Sequence, residues 1–299
     1  MQIGVIGLGR MGAAMALRLV EKGHSVVGWD IDPAARARSG SITVAASPQA
    51  VADRSEFIIS SLPDDGSVAR LFCSSMGLLE NDVSGRVFIE MSTLRPRTAV
   101  DLSQRLNAAG ADFVDAPVLG SIPAARSGTL LALVGGAPAV VERAATVLKS
   151  VTTRIFHMGD SGSGYATKLA VNLGLAGYIQ SLAETLALSS RYDLPLATVL
   201  EVLKSAPTAN PWLSSKMNAL TGGKSDLTLD LVTLRKDLMS AVSAGADRGV
   251  TMPQTAASLS VFSAAVAANW GAKDSVELVQ FFAQHMLQDR SSTSTSPAA

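Results

Sequence analysis

At 299 residues the chain is longer than one ordinary core, which predicts two domains, each with ample apolar surface to bury. Its 25 Lys and Arg balance 25 Asp and Glu, and no basic stripe interleaved with aromatics occurs, so nucleic acid is excluded as the main partner. The single cysteine, Cys73, excludes a disulfide framework and suits a reducing compartment, and the scattered His24, His157 and His285 lack the spacing of metal ligands or of a Ser-His-Asp site.

The chain opens on an apolar strand, Ile3 to Ile6, that runs into Gly7-Leu8-Gly9-Arg10-Met11-Gly12 and then into a helical pattern, Ala14-Met15-Leu17-Val20. Three glycines at this spacing form a dinucleotide fingerprint. Gly7 permits the tight turn, Gly9 lets backbone amides approach a pyrophosphate, and Gly12 lets the helix pack on the strand. The helix N-terminus then directs free N–H groups and its positive dipole end at the phosphates. Because Gly7, Gly9 and Arg10 break the apolar run, the start does not read as a signal peptide. A second apolar strand over 25–29 ends in Asp30, where such folds place an acid on the ribose. A carboxylate there accepts from the 2′-hydroxyl and repels a 2′-phosphate, so NAD is expected in preference to NADP. Asp32 adds negative charge, whereas Arg36 and Arg38 are the cations that a bent loop would bring back.

Further apolar runs follow at 57–59, closed by Leu62-Pro63, at 87–91, closed by Ser92-Thr93, and at 113–118 and 130–134. Helical stretches at 98–109 and 139–148 separate some of them. Strands alternating with helices predict an α/β fold with a doubly wound parallel sheet, whose ligands lie outside the strand C-terminal ends. Leu62, Pro63 and Thr93 stand at such ends. From about Gly162 the period becomes 3.6, with helices expected at 165–191, 196–205, 227–248, 253–268 and 275–287. The expected division is a dinucleotide-binding domain over 1–161, an all-α domain over 162–290 and a disordered Ser/Thr/Pro/Ala tail over 291–299. The apolar stretch 255–270 is too short and too polar to span a bilayer, and reads as a packed interior helix. A cytoplasmic protein with no membrane partner is expected.

Two glycines, Gly162 and Gly164, open the first long helix, and Lys168 and Asn172 stand four residues apart on one face of it. A lysine at the start of that helix suits a general acid or base, provided burial or a neighbouring cation lowers its ordinary pKa of about 10.4. Asn210-Pro211-Trp212-Leu213 lines a cleft or packs a helix junction.

The fingerprint at 7–12, Asp115-Ala116-Pro117-Val118 with Gly128-Thr129-Leu130, the segment 162–172, and Lys236-Asp237-Leu238 occur in one order. Together they resemble the four motif regions of the β-hydroxyacid dehydrogenases, the 3-hydroxyisobutyrate dehydrogenase family, over about residues 1–287. The resemblance implies a Rossmann-type domain followed by a helical one, and NAD(P)-linked oxidation of a 3-hydroxy acid or reduction of its semialdehyde. It implies Lys168 as the proton-transfer lysine and Asn172 as a substrate ligand. Lys236 falls near nicotinamide and substrate, Thr93 near the nicotinamide ribose, and Leu62-Pro63 beside the cofactor. It also implies a homodimer or homotetramer. The chain departs from the family at Leu119-Gly120-Ser121, where Ser-Gly-Gly is usual. Leu119 has no side-chain donor, so the amides of Gly120 and Ser121 and the Ser121 hydroxyl are left to hold a substrate carboxylate. Two rival readings are an imine reductase-like enzyme, which Lys168 argues against, and a non-catalytic dinucleotide-binding regulatory module, which Lys168 and Asn172 argue against.

Overall fold

The computed structural model describes residues 1–224 and 227–286, so the expected tail and the last residue of the expected final helix lie outside the described residues. The chain divides into two compact units, Met1–Val171 with Ser240–Val250, and Asn172–Met239 with the chain from Thr251 on.

The first unit alternates strands and helices: β1 Gln2–Ile6, α1 Arg10–Glu21, β2 Ser25–Trp29, α2 Pro33–Ala37, β3 Thr43–Val44, α3 Pro48–Ala52, β4 Phe57–Ser60, α4 Asp65–Cys73, β5 Val87–Glu90 and α5 Pro96–Ala108. It continues with β6 Asp112–Asp115, β7 Val118–Leu119, α6 Ile122–Ser127, β8 Leu130–Gly135, α7 Pro138–Leu148 and β9 Thr152–Gly159. The sheet order is β3-β2-β1-β4-β5-β6-β8-β7, with β9 on β8. Since β1 lies between β2 and β4, the chain reverses its direction of winding there, which opens a crevice at the carboxyl ends of β1 and β4.

Period-two alternation explains why both faces are covered. Ile3, Val5, Ile59, Ile89 and Val114 point to one side, against Met15 and Leu19 of α1 and Val147 of α7. Ile6, Ile58, Phe88 and Phe113 point to the other, against α3, α4 and α5. The sheet is doubly wound as the alternation predicts, with one difference: β8 runs antiparallel to β6 and β7. The short α6 turns the chain back without the long crossover that a parallel neighbour requires. β9 was not anticipated, because it is an edge strand with exposed Thr153, Arg154, His157 and Met158 and no apolar run. Cys73 is exposed at the end of α4.

One unbroken helix, α8 Ser163–Arg191, carries the chain from the first unit into the second. There follow α9 Leu196–Ser205, α10 Pro211–Leu220, α11 Leu231–Ala246, α12 Pro253–Ala267 and α13 Leu278–His285. Ile179, Leu234, Leu238, Phe262 and Phe281 form the centre of the second unit's core. The stretch read as an interior helix is corrected: α12 buries Thr255, Ser258, Phe262 and Ala265 but exposes Ala256, Ala257, Ser260 and Ala264. Small residues raise its apolar score yet cost little at a surface. The segment at Asn210 begins a helix, α10, which Asn210 caps by accepting from the Leu213 amide. Trp212 packs edge-on against Tyr178, so it serves the core. A buried pair joins Lys216 to Asp274 at 2.9 Å. Burial opposes the charge on Asp274, but bonds from Lys216, Thr228 and Val276 outweigh it and hold its pKa below the usual value. Among the described residues no helix is long and apolar enough to cross a membrane.

The last residues of the central strands stand in one register row, with Ile6 beside Ser60, Ser60 beside Glu90 and Glu90 beside Asp115. Glu90 is fully buried and accepts from the Ser60 hydroxyl and the Ser92 amide. Burial pushes its pKa up to about 7, against the hydrogen bonds, with the Asp115 charge adding to the rise. A carboxyl raised in the native state stabilises the fold below its unfolded pKa, and that contribution is lost as pH climbs through the native value. In Glu90→Gln the Ser60 hydroxyl can reverse and accept. Chemical denaturation should therefore show wild type losing stability from about pH 5 to pH 8, and the variant losing less by on the order of 3 kcal/mol. Parallel losses would place the titration elsewhere.

Candidate dinucleotide and substrate site

The glycine turn leaves β1 in a conformation that side chains disallow. Gly7 has φ +92°, and a Cβ there would stand 2.2 Å from the Ser61 carbonyl oxygen. A Cβ on Gly12 would stand 1.9 Å from the Gly7 carbonyl oxygen, so the first turn of α1 packs directly on the loop. Gly9 differs: a Cβ there would meet nothing of this chain within 4 Å. Gly9 and Arg10 are exposed, Met11 is half-buried, and the Leu8 side chain is packed in the core. The backbone of Gly9 thus faces open space at the N-terminus of α1, whose first amides have no partner within the helix. These residues fit the pyrophosphate of a dinucleotide.

Asp30 lies against the same loop. One carboxylate oxygen accepts from the Leu8 amide at 2.6 Å and the other from the Asp32 amide at 2.8 Å. The turn does bring Arg36 back, to donate to the Asp30 carbonyl oxygen at 2.6 Å, while Arg38 lies 3.9 Å from Asp32. Beyond β4 and β5, the Leu62 amide donates to the Ser92 hydroxyl oxygen at 2.7 Å, and the Ser92 amide donates to Glu90. Two loops, Leu62-Pro63 and Ser92-Thr93, are thereby tied to one buried carboxylate, with Leu62 and Thr93 half-buried and Pro63 exposed.

The start of α8 is seated on the same edge of the sheet. Asp115 accepts from the Gly162 amide at 2.7 Å and from the Tyr165 amide at 2.9 Å. Lys168, half-buried, follows in the second turn within this unit. Leu119 pairs with Leu131 across β7 and β8 and is half-buried. Gly120 has φ +129°, and Ser121 precedes α6 without capping it through its side chain.

In the second unit Asn172 lies one turn beyond Lys168 on the same helix and is buried. Its amide nitrogen donates to Asp237 at 2.6 Å, and Lys236 forms a 3.1 Å ion pair with the other oxygen of Asp237. Asp237 therefore sets the rotamer of Asn172 and holds the Lys236 ammonium. Sequence reasoning gives no role to Asp237, Asp115, Glu90 or Ser60, and places Ser92 only at a strand end. For Asp115 and Asp237 there is a signal, an acidic residue inside a motif already singled out.

A family model described as the NAD binding domain of 6-phosphogluconate dehydrogenase matches residues 2–159, and one described as NAD-binding of NADP-dependent 3-hydroxyisobutyrate dehydrogenase matches residues 162–282. The chain is 32% identical to the 2-(hydroxymethyl)glutarate dehydrogenase of Eubacterium barkeri over 95% of both chains. It is 34% identical to the 3-hydroxyisobutyrate dehydrogenase of Pseudomonas aeruginosa over 74% of both. The solved structure of the Mycobacterium tuberculosis 3-hydroxyisobutyrate dehydrogenase with L-serine superposes with a TM-score of 0.83 at 29% identity, covering 94% of this chain and 98% of that one.

Proposed function

The chain belongs to the β-hydroxyacid dehydrogenase family, the NAD(P)-dependent dehydrogenases that include 3-hydroxyisobutyrate dehydrogenase, and on that premise we propose a reaction in which Lys168 moves the hydroxyl proton of a 3-hydroxy acid. The observation that carries it is the seating of the α8 N-terminus, with Lys168 in its second turn, on the carboxyl edge of the same sheet that presents the glycine loop.

The bound nicotinamide supplies the acceptor or donor of hydride. The glycine turn at 7–12, with Gly9 open at the N-terminus of α1, takes the pyrophosphate, and Asp30 takes the adenosine ribose. Its carboxylate already accepts two backbone bonds, which fix its direction and leave lone pairs for ribose hydroxyls. In oxidation the Lys168 amine takes the alcohol proton as the C–H bond breaks, and in semialdehyde reduction the ammonium returns it. Within the second unit Asn172, turned by Asp237, and the Lys236 ammonium present an amide and a cation suited to a hydroxy acid. The carboxylate is held by the amides of Gly120 and Ser121 and by the Ser121 hydroxyl, which its own helix does not use. Leu119 gives that pocket an apolar wall, so the substrate is a 3-hydroxy acid, or its semialdehyde, that does not depend on a side-chain donor there.

Lys168→Ala should lower kcat by about 10²–10⁴-fold and leave the NAD dissociation constant unchanged, since the cofactor is held by other residues. Steady-state kinetics with fluorescence titration of NAD check this, and near wild-type kcat would remove Lys168 from the mechanism.

The reaction should prefer NAD. A 2′-phosphate would approach the Asp30 carboxylate, and Arg36 is already engaged by the Asp30 carbonyl. Comparing kcat/KM for the two cofactors tests this; a higher value with NADP would show that Arg36 or Arg38 turns to the phosphate.

A hydrogen bond to a charged group contributes about 1.5–3 kcal/mol. Leu119→Ser should accordingly raise kcat/KM for 3-hydroxyisobutyrate, relative to the best native substrate, by about tenfold or more. A substrate panel run on both proteins reads the change, and an unaltered ranking would mean that Leu119 faces away from the carboxylate.

A further inference from the structure

We propose that Asp115 is a positioning residue for proton transfer: its carboxylate clamps the first turn of α8 to the sheet and so sets where the Lys168 amine stands relative to the glycine loop. The proposal rests on the reading of Lys168 as the acid and base.

Helix N-termini are ordinarily capped by a neighbouring Ser, Thr, Asp or Asn. In α8 the amides of Gly162 and Tyr165 are instead satisfied by a residue 47 and 50 positions earlier, the last of β6. The clamp is bidentate, one oxygen to each amide, so it fixes both the height and the tilt of the first turn. The surroundings are built around it. A Cβ on Gly135 would stand 2.6 Å from an Asp115 carboxylate oxygen, and a Cβ on Gly164 would stand 2.4 Å from the Leu133 carbonyl oxygen and 2.8 Å from that of Asp115. Gly162, at φ +95°, brings its own would-be Cβ to 2.8 Å from the Pro96 carbonyl oxygen. Three glycines thus let helix, sheet and carboxylate approach to contact, at a backbone-entropy cost that a local cap would avoid.

A buried carboxylate adds little net stability once its desolvation is subtracted. What two bonds in fixed directions add is placement. Lys168 lies three residues beyond Tyr165, about 4.5 Å along the axis, so a shift of the first turn is transmitted almost whole. Misplacement of a reacting group by about 1 Å can cost on the order of 10²-fold in rate. Burial raises the Asp115 pKa to about 6, with the bonds from Gly162 and Tyr165 opposing. The titratable groups that face it are Glu90 on β5 and the buried Tyr165 hydroxyl on α8, which in turn faces Asp65 at the start of α4.

The test is a double-mutant cycle read by single-turnover hydride transfer at saturating NAD, with the best substrate of a 3-hydroxy acid panel. Asp115→Asn keeps the size of the side chain but turns an NH₂ group toward one amide. It should slow transfer by about tenfold or more, leave the NAD dissociation constant within about twofold, and add little in a Lys168→Ala background. The same loss in both backgrounds, or a loss confined to NAD affinity, or no loss, overturns the proposal while leaving Lys168 in its role. Near wild-type transfer by Lys168→Ala alone overturns both readings and is seen without Asp115. Should Asp115→Asn fail to fold, the wild-type pH profile of semialdehyde reduction decides, because Lys168 then acts as the ammonium and adds no acid limb of its own. Transfer should fall below about pH 6, as one Asp115 oxygen stops accepting, with NAD affinity level and with the acid limb retained in Glu90→Gln. A flat profile, or a limb abolished by Glu90→Gln, overturns the proposal.

Discussion

Hydrogen bonds from loop amides to two carboxyl groups buried at the ends of adjacent strands hold the first unit's working edge together. Glu90 and Asp115 are register partners, and each lies where its strand gives way to irregular chain. A strand end leaves backbone donors that neither sheet nor helix satisfies, and burying them unpaired is costly. Glu90 satisfies Ser92 and, through the Ser92 hydroxyl, Leu62, while Asp115 satisfies the start of α8. The loops after β4 and β5 and the helix that carries Lys168 are therefore referred to one rigid row of the sheet. Burial in a dry core raises both groups above ordinary carboxylates, and at Glu90 the Asp115 charge adds to the rise.

Close approach is the second constraint, and glycine meets it twice for different reasons. Gly7 and Gly12 are small because the chain itself would collide there, whereas Gly9 faces open space and leaves room for a ligand to approach the backbone. The distinction separates a tightly packed βα turn from a dinucleotide loop better than the spacing of the glycines does.

The second unit handles polar groups by pairing them inside a helical core. Asn172, Asp237 and Lys236 form one chain of contacts, and Lys216, Thr228 and Asp274 form another that ties the segment before α11 to the turn before α13. Only the first lies among residues proposed to bind substrate. The second is structural, since a buried ammonium and carboxylate that complete each other and nearby amides leave nothing to offer a ligand.

Local chemistry was enough to reveal the order of strands and helices, the glycine turn, Asp30 at the end of β2, and the long helix with Lys168 and Asn172 on one face. Periodicity and turn preference act over a few residues and can be read from a few residues. The antiparallel placement of β8, the polar edge strand β9 and the short α10 were not legible, because pairing partners and neighbouring surfaces select them over propensity. The same holds for Glu90, Asp115 and Asp237. Their roles come from donors that lie 2, 47, 50 and 65 positions away in the chain. Sequence order shows which acids stand near glycines, but only folding removes water from around a carboxylate and brings distant amides to it, and that step turns an ordinary acid into a fixed point for the site.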